Sequence, residues 1–192
     1  RDGGFDAAID LRLRAGDLVL GDGDAATLRA HDVRVAVDAG ALTLRGAVSS
    51  DGSGGGRVGL YAGGDVVLDA SARITARATL AGSEGGTVEL GSRSGVVRLA
   101  AGAAVDVTGT GGRVNLRVLA NAQRNGVNVD IAGGATITGA SRFTVEGVQV
   151  FDAASITPTL MTTVMNAARG LMDNRGTIEA ALRGASLVPG IE

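Results

Sequence analysis

The sequence predicts an all-β fold, a right-handed parallel β-helix (β-solenoid), with a short helical segment near the C-terminus. Three observations lead there. First, a Gly-Gly pair precedes a strand-like phrase three times: Gly55-Gly56 before Arg57-Val58-Gly59-Leu60, Gly85-Gly86 before Thr87-Val88-Glu89-Leu90, and Gly111-Gly112 before Arg113-Val114-Asn115-Leu116. The intervals of 30 and 26 residues are the size of one unit in a repeat protein. Second, each unit continues with the same two further apolar patches. Third, 45% of the residues are hydrophobic but only 2% are aromatic. Such an aliphatic interior suits thin stacked layers better than a core built on rings.

In chain order, the strand-like pattern runs from Phe5 to about Phe151. Ile9, Leu11 and Leu13 alternate with polar residues, as do Leu18 and Leu20, then Val33, Val35 and Val37, then Leu42 and Leu44. Alternation with period two puts these on one face and turns Arg12, Arg34, Asp38, Thr43 and Arg45 to water. In the middle units the second patch is Val66-Val67-Leu68, Val96-Val97-Arg98-Leu99 and Val127-Asn128-Val129-Asp130-Ile131. The third follows an alanine: Ala72-Arg73-Ile74-Thr75, Ala104-Val105-Asp106-Val107 and Ala135-Thr136-Ile137-Thr138. Three short strands per unit, with small residues at the corners, are what a three-sided coil requires. One coil cannot bury its own apolar face, so each must stack on the next at ~4.8 Å, giving roughly six coils and a rod about 30 Å long. Short strands at this spacing also fit an antiparallel sandwich, but the repeated three-strand order favours the solenoid.

The pattern changes after Asp152. Thr157 can cap a helix that has Pro158 at its first position, where a missing N–H costs nothing. Leu160, Met161, Val164, Met165 and Ala168 then share one face, and Gly170 or Gly176 can end the run. Thr177 to Arg183 reads as a second helical turn or a short strand, and Ser186 to Glu192 as extended, because Pro189 breaks a helix. The expected organisation is therefore 1–151 as β-helix repeats, 152–185 as a helical insert packed on the solenoid, and 186–192 as the start of a further strand.

Composition narrows the function classes. There are no cysteines, so disulfides and thiolate metal sites are absent, which is compatible with a cytosolic protein and also suits a chain exported unfolded into an oxidising compartment. A net charge of −2 with interspersed signs gives no electrostatic case for nucleic acid or anionic membrane as partner. No apolar run approaches the ~18 residues of a membrane span, and a chain opening at Arg1 reads as a segment of something longer.

No catalytic, cofactor or metal site is expected. His31 beside Asp32 is not an acid–base pair, because adjacent strand residues face opposite ways. Gly21-Asp22-Gly23-Asp24 has the flavour of a calcium-binding β-roll, but that motif works by iteration and here stands once, so a tight turn is expected. Gly52-Ser53-Gly54-Gly55-Gly56 lacks the Lys-Ser/Thr ending of a phosphate loop, and Ser92-Arg93-Ser94-Gly95-Val96 lacks a nucleophile-elbow frame. β-Helix enzymes that cut acidic polysaccharides cluster Asp on one outer face and supply aromatic platforms. Here Asp38, Asp65, Asp69, Asp106 and Asp130 are scattered, and Tyr61 is the single tyrosine. Such an enzyme is the alternative reading.

The run from Gly55 to Thr138 resembles the exoproteins of the filamentous haemagglutinin type, the β-helical passengers of bacterial two-partner secretion. Gly63-Gly64-Asp65-Val66-Val67-Leu68 with Ala72-Arg73-Ile74 carries the resemblance. Phe151-Asp152-Ala153-Ala154-Ser155-Ile156, the helix, and Leu187-Val188-Pro189-Gly190-Ile191-Glu192 look like an insert of one branch of that family, after which Pro-Gly-Ile-Glu opens a further coil. The resemblance implies a Gram-negative secreted or cell-surface rod, non-catalytic, acting in surface attachment or display. It also implies export through an outer-membrane transporter and host or bacterial surface receptors or glycans as partners.

Overall fold

The computed structural model describes residues 7–21, 27–121 and 125–192. Five successive coils each contribute three strands. They are β1 (Ala8–Leu13), β2 (Leu18–Leu20) and β3 (Thr27–Arg29); β4 (Asp32–Val37), β5 (Leu42–Leu44) and β6 (Ala47–Ser49); β7 (Arg57–Ala62), β8 (Val66–Leu68) and β9 (Arg73–Thr75); β10 (Thr87–Ser92), β11 (Val97–Leu99) and β12 (Ala104–Asp106); and β13 (Gly112–Leu119), β14 (Val129–Ile131) and β15 (Thr136–Thr138). A sixth turn holds β16 (Ala140–Gln149), α1 (Pro158–Asp173) and α2 (Arg175–Ala181), and β17 (Ser186–Ile191) follows. Every strand pairing is parallel, and the strands sort into three sheets. Sheet A runs β1-β4-β7-β10-β13-β16-β17, sheet B β2-β5-β8-β11-β14, and sheet C β3-β6-β9-β12-β15. The fold is a three-sided parallel β-solenoid.

Register shows why the sequence repeat looked loose. Sheet A sets Ala8, Asp32, Arg57, Thr87, Arg113 and Arg142 side by side, so the coils are 24, 25, 30, 26 and 29 residues long. Loops absorb the differences while the strands stay aligned. Inward, Val33, Val58, Val88 and Val114 form one ladder, and Val35, Leu60, Leu90, Leu116, Val145 and Leu187 another, all buried. Leu44, Leu68 and Leu99 line sheet B, and Val48, Ile74 and Val105 line sheet C. Each fully buried aliphatic side chain contributes about 1.5–3 kcal/mol.

The Gly-Gly pairs sit at the corner between sheets C and A. Glycine is required there by close approach, since a Cβ on Gly56 would strike the carbonyl of His31 and one on Gly86 the carbonyl of Gly56. Stacked backbones meet at this corner without room for a side chain.

The sixth turn departs from the coil. Its helices take the place that strands of sheets B and C would fill, and sheet A alone continues through it. Thr157 caps α1, its Oγ1 accepting from the Leu160 N–H at 3.1 Å, and Pro158 begins the helix. Gly170 and Gly176 lie inside α1 and α2, because the turn between the helices is made by Asn174, whose Nδ2 donates to the Gly170 carbonyl. Of the segment Thr177 to Arg183, the residues up to Ala181 are helical, in α2, and Leu182 and Arg183 lie in the turn that follows. The buried face of α1 is Ala167 and Leu171, so Met161 and Met165, expected on the packed face, point outward, 48% and 58% exposed. The helix is rotated to bring Leu171 against Gly147, which has no side chain in the way. Leu171, Ile178, Leu182 and Leu187 join the solenoid core. Arg183 Nη1 donates to the Ala132 carbonyl at 3.0 Å, tying this turn to the fifth coil.

The outer edge of β17 is partly closed. The N–H of Glu192 donates to β16 at the Gln149 carbonyl, so by strand alternation residues 187, 189 and 191 face away from β16. The Leu187 N–H is taken by Glu179 Oε1 at 2.7 Å, and Pro189 has none to offer. Blocking donors in this way is how sheet edges avoid unwanted pairing.

Candidate functional site

The outer surface is organised by strand alternation into columns that run along the rod. On sheet A the three outward columns are Asp32-Arg57-Thr87-Arg113-Arg142, Asp10-Arg34-Gly59-Glu89-Asn115-Thr144, and Arg12-Ala36-Tyr61-Gly91-Arg117-Glu146. Six of the described arginines on the rod stand against an acid one coil away. Arg12–Asp38 (2.9 Å), Arg34–Asp10 (3.7 Å), Arg45–Asp69 (3.3 Å), Arg77–Asp51 (2.7 Å), Arg98–Asp130 (3.1 Å) and Arg117–Glu146 (3.1 Å) each join adjacent coils. Such pairs are worth about 0–1 kcal/mol each, and their effect lies as much in register as in stability.

Tyr61 is the one ring on this face with a built environment. Its Oη donates to Glu89 Oε2 at 2.5 Å, and the Arg34 guanidinium lies 5.6 Å from the ring centroid. The ring lies flat because Gly59 and Gly91 flank it; a Cβ on either would come within 2.7 or 2.8 Å of ring carbons. Burial, and then the hydrogen bond to the Glu89 carboxylate, pushes the Tyr61 hydroxyl above its ordinary range. The available signal was the pair of glycines at outward strand positions, where exposed side chains are the rule.

A groove of about 580 Å³ lies where sheet A turns into sheet B, lined by Asp38, Gly40, Gly63, Arg93, Ser94 and Glu192 among others. Asp38 is held by Arg12 through both carboxylate oxygens, at 2.9 and 3.0 Å, and Glu192 lies 3.7 Å from Arg117. Ser94 Oγ donates to the Gly63 carbonyl at 2.6 Å. The Arg93 guanidinium has no hydrogen-bond or ion-pair partner among the described residues. The groove therefore presents one cation against backbone carbonyls and two carboxylates that already have arginine partners.

The residues singled out from sequence each have a place. His31 is exposed, in the bend between β3 and β4. Of Gly21-Asp22-Gly23-Asp24, all but Gly21 lie outside the described residues, as does Phe5. The N–H groups of Gly55 and Gly56 donate to the carbonyls of Glu84 and Ser50 at 2.8 Å, so that stretch is bonded to neighbouring backbone. Ser92 is buried, its Oγ donating to the Gly64 carbonyl at 2.8 Å and accepting from the Gly95 N–H at 2.9 Å. Asp65 accepts from the Val96 N–H of the next coil at 2.8 Å, as Asp17 does from Ala41. Asp69 accepts from its own turn at Ala70, and Asp106 from Thr108, while Asp38 and Asp130 are ion-paired. Asp38 and Asp65 both lie in the corner between sheets A and B, on adjacent coils, and the other three lie elsewhere; among the described residues no three acidic or metal-ligating side chains cluster.

Comparison with protein families, with curated proteins and with solved structures finds no match in any of the three.

Proposed function

We propose that the chain is a rod segment of a secreted or cell-surface bacterial exoprotein of the filamentous haemagglutinin type, non-catalytic and acting in surface attachment or display. The single observation that supports this reading best is how the outer surface is used: six inter-coil ion pairs distribute charge along all the length of the solenoid and bind coil to coil. A surface so committed serves stacking and spacing. The glycine–aspartate–strand–alanine phrase from Gly63 to Ile74 supports the family. Export through an outer-membrane transporter, and receptors or glycans as partners, follow from that family reading.

Antibody raised against this segment is expected to label intact cells of the producing bacterium, or to find the protein in the medium. Confinement to the cytoplasm, with labelling only after lysis, refutes the reading. The second reading, a polysaccharide lyase or hydrolase, is favoured by the groove that brings Asp38, Arg93 and Glu192 together. It predicts that acidic polysaccharide is shortened on incubation with the protein and that Asp38→Asn abolishes the cutting.

A further inference from the structure

The first outward column of sheet A gathers in one line three arginines without an acidic partner among the described residues; Arg14, Arg29, Arg73 and Arg93, which also lack one, are dispersed over the rod. Arg57, Arg113 and Arg142 are exposed, and none makes an ion pair or side-chain hydrogen bond with another described residue. Arg113 and Arg142 are direct register neighbours, and like charges set opposite one another on adjacent strands destabilise a sheet. An acid between Arg57 and Arg113 would relieve the column, yet Thr87 stands there. Asp32, at the far end, makes no ion pair. Six other inter-coil positions show that this fold readily places a carboxylate against an arginine.

The flanks bring one carboxylate near the column, Glu89 beside Thr87, and it accepts from Tyr61 Oη. On one side run the corner pairs Gly55-Gly56, Gly85-Gly86 and Gly111-Gly112, which carry no side chains. On the other, beside Arg113 and Arg142, Asn115 and Thr144 are bonded to each other at 2.6 Å. From Arg57 to Arg142 there are three strand steps, about 14 Å along the rod axis. A linear polyanion lying along the axis meets all three guanidinium groups. A planar guanidinium takes a planar carboxylate through two parallel N–H···O bonds. The column has no aromatic ring on which a nucleic-acid base could stack.

We propose that the column Arg57-Thr87-Arg113-Arg142 is a binding stripe for an acidic polysaccharide of the polyuronate class, held along the rod axis. The proposal deepens the attachment reading and rests on it in one respect: the polymer is held and not cut.

The probe is polygalacturonate, titrated calorimetrically into the full chain, with the polymer's size measured before and after. Binding is expected, weakening at least about tenfold as salt rises from roughly 0.05 to 0.5 M. The double variant Arg113→Gln/Arg142→Gln should weaken it at least about tenfold, and so should Thr87→Glu, which puts a carboxylate between Arg57 and Arg113 and leaves every arginine in place. Cooperative melting of both variants at or above the parent's temperature shows that they fold. No binding by the parent protein, or undiminished binding by both folded variants, overturns the stripe while leaving the rod reading intact. Equal or tighter binding of dextran sulfate or single-stranded DNA overturns the polyuronate assignment. Binding followed by shortening of the polymer refutes the non-catalytic reading but keeps the stripe.

Discussion

Val88 stands between Val58 and Val114 on the inner face of sheet A, with no solvent exposure. A carboxylate there has neither water nor a counter-charge, and replacing one such aliphatic residue costs about 4 kcal/mol or more, a large part of the whole stability of a domain. Val88→Asp should therefore lose the cooperative melt in circular dichroism, whereas Thr87→Asp, one residue away and facing out, should melt within about 0.5 kcal/mol of the parent. A folded Val88→Asp protein would sink this register. Tyr61 gives a second test at this scale. Its folded-state pKa lies above that of the unfolded chain, so folding favours the protonated phenol. The stabilisation is complete below pH ~10 and is lost as pH rises through the folded value. Since Tyr61 is the only tyrosine and the chain has no lysine or cysteine, tyrosinate absorbance reports this residue alone. The parent should lose stability above pH ~10, and Tyr61→Phe should not. Equal alkaline sensitivity in both would remove the Tyr61–Glu89 account.

Among the elements, the junction of α2 and β17 has the clearest test. Glu179 accepts from the Leu187 N–H and from Arg175 Nε, both at 2.7 Å. The backbone bond first and the arginine second hold its carboxyl below the ordinary range. A depressed folded pKa contributes stability above the unfolded value, about 4.3, that is lost as pH falls through the folded one. The protection of the Leu187 amide, relative to its intrinsic exchange rate at each pH, is expected to fall in that acid window. Glu179→Ala should show fast exchange there already at pH 7 while β16 stays protected. Slow exchange at Leu187 in Glu179→Ala would mean that the carboxylate does not guard this edge. The strength of the helix start was legible in Thr157-Pro158, since capping and proline chemistry are local. The rotation of α1 was not: Met161 and Met165 fit the apolar stripe as well as Leu171 does. What fixed it was Gly147, 24 residues before Leu171 in the chain and opposite it in space.

For the molecule as a whole, the helices and β17 cover the sixth turn and add to the solenoid core. Ending the chain at Val150 removes Leu171, Ile178, Leu182 and Leu187 from the core and strips β16 of its outer partner. At about 1.5–3 kcal/mol for each lost aliphatic side chain, Tm should fall by about 10 °C or more. The bared sheet edge should also drive association visible in sedimentation velocity. A shortened chain that stays monomeric and melts as the parent does would show that the first five coils need no such cover.

The sequence by itself determined the coil. Alternation, three strand phrases per unit and glycine where backbones touch are local signals, and a parallel stack is the way such units bury their apolar faces together. Register made those signals quantitative, because strands align even where loops differ in length. Only the tertiary structure decided which outward residues share a column. Arg113 and Arg142 lie 29 residues apart in sequence but directly side by side in sheet A, and Tyr61 meets Glu89 across 28 residues. Neighbourhood across coils depends on the summed length of intervening loops, a quantity no local pattern records. The solenoid was therefore legible from residues taken a few at a time, while the surface stripe and the tyrosine brace appeared only once the coils were stacked.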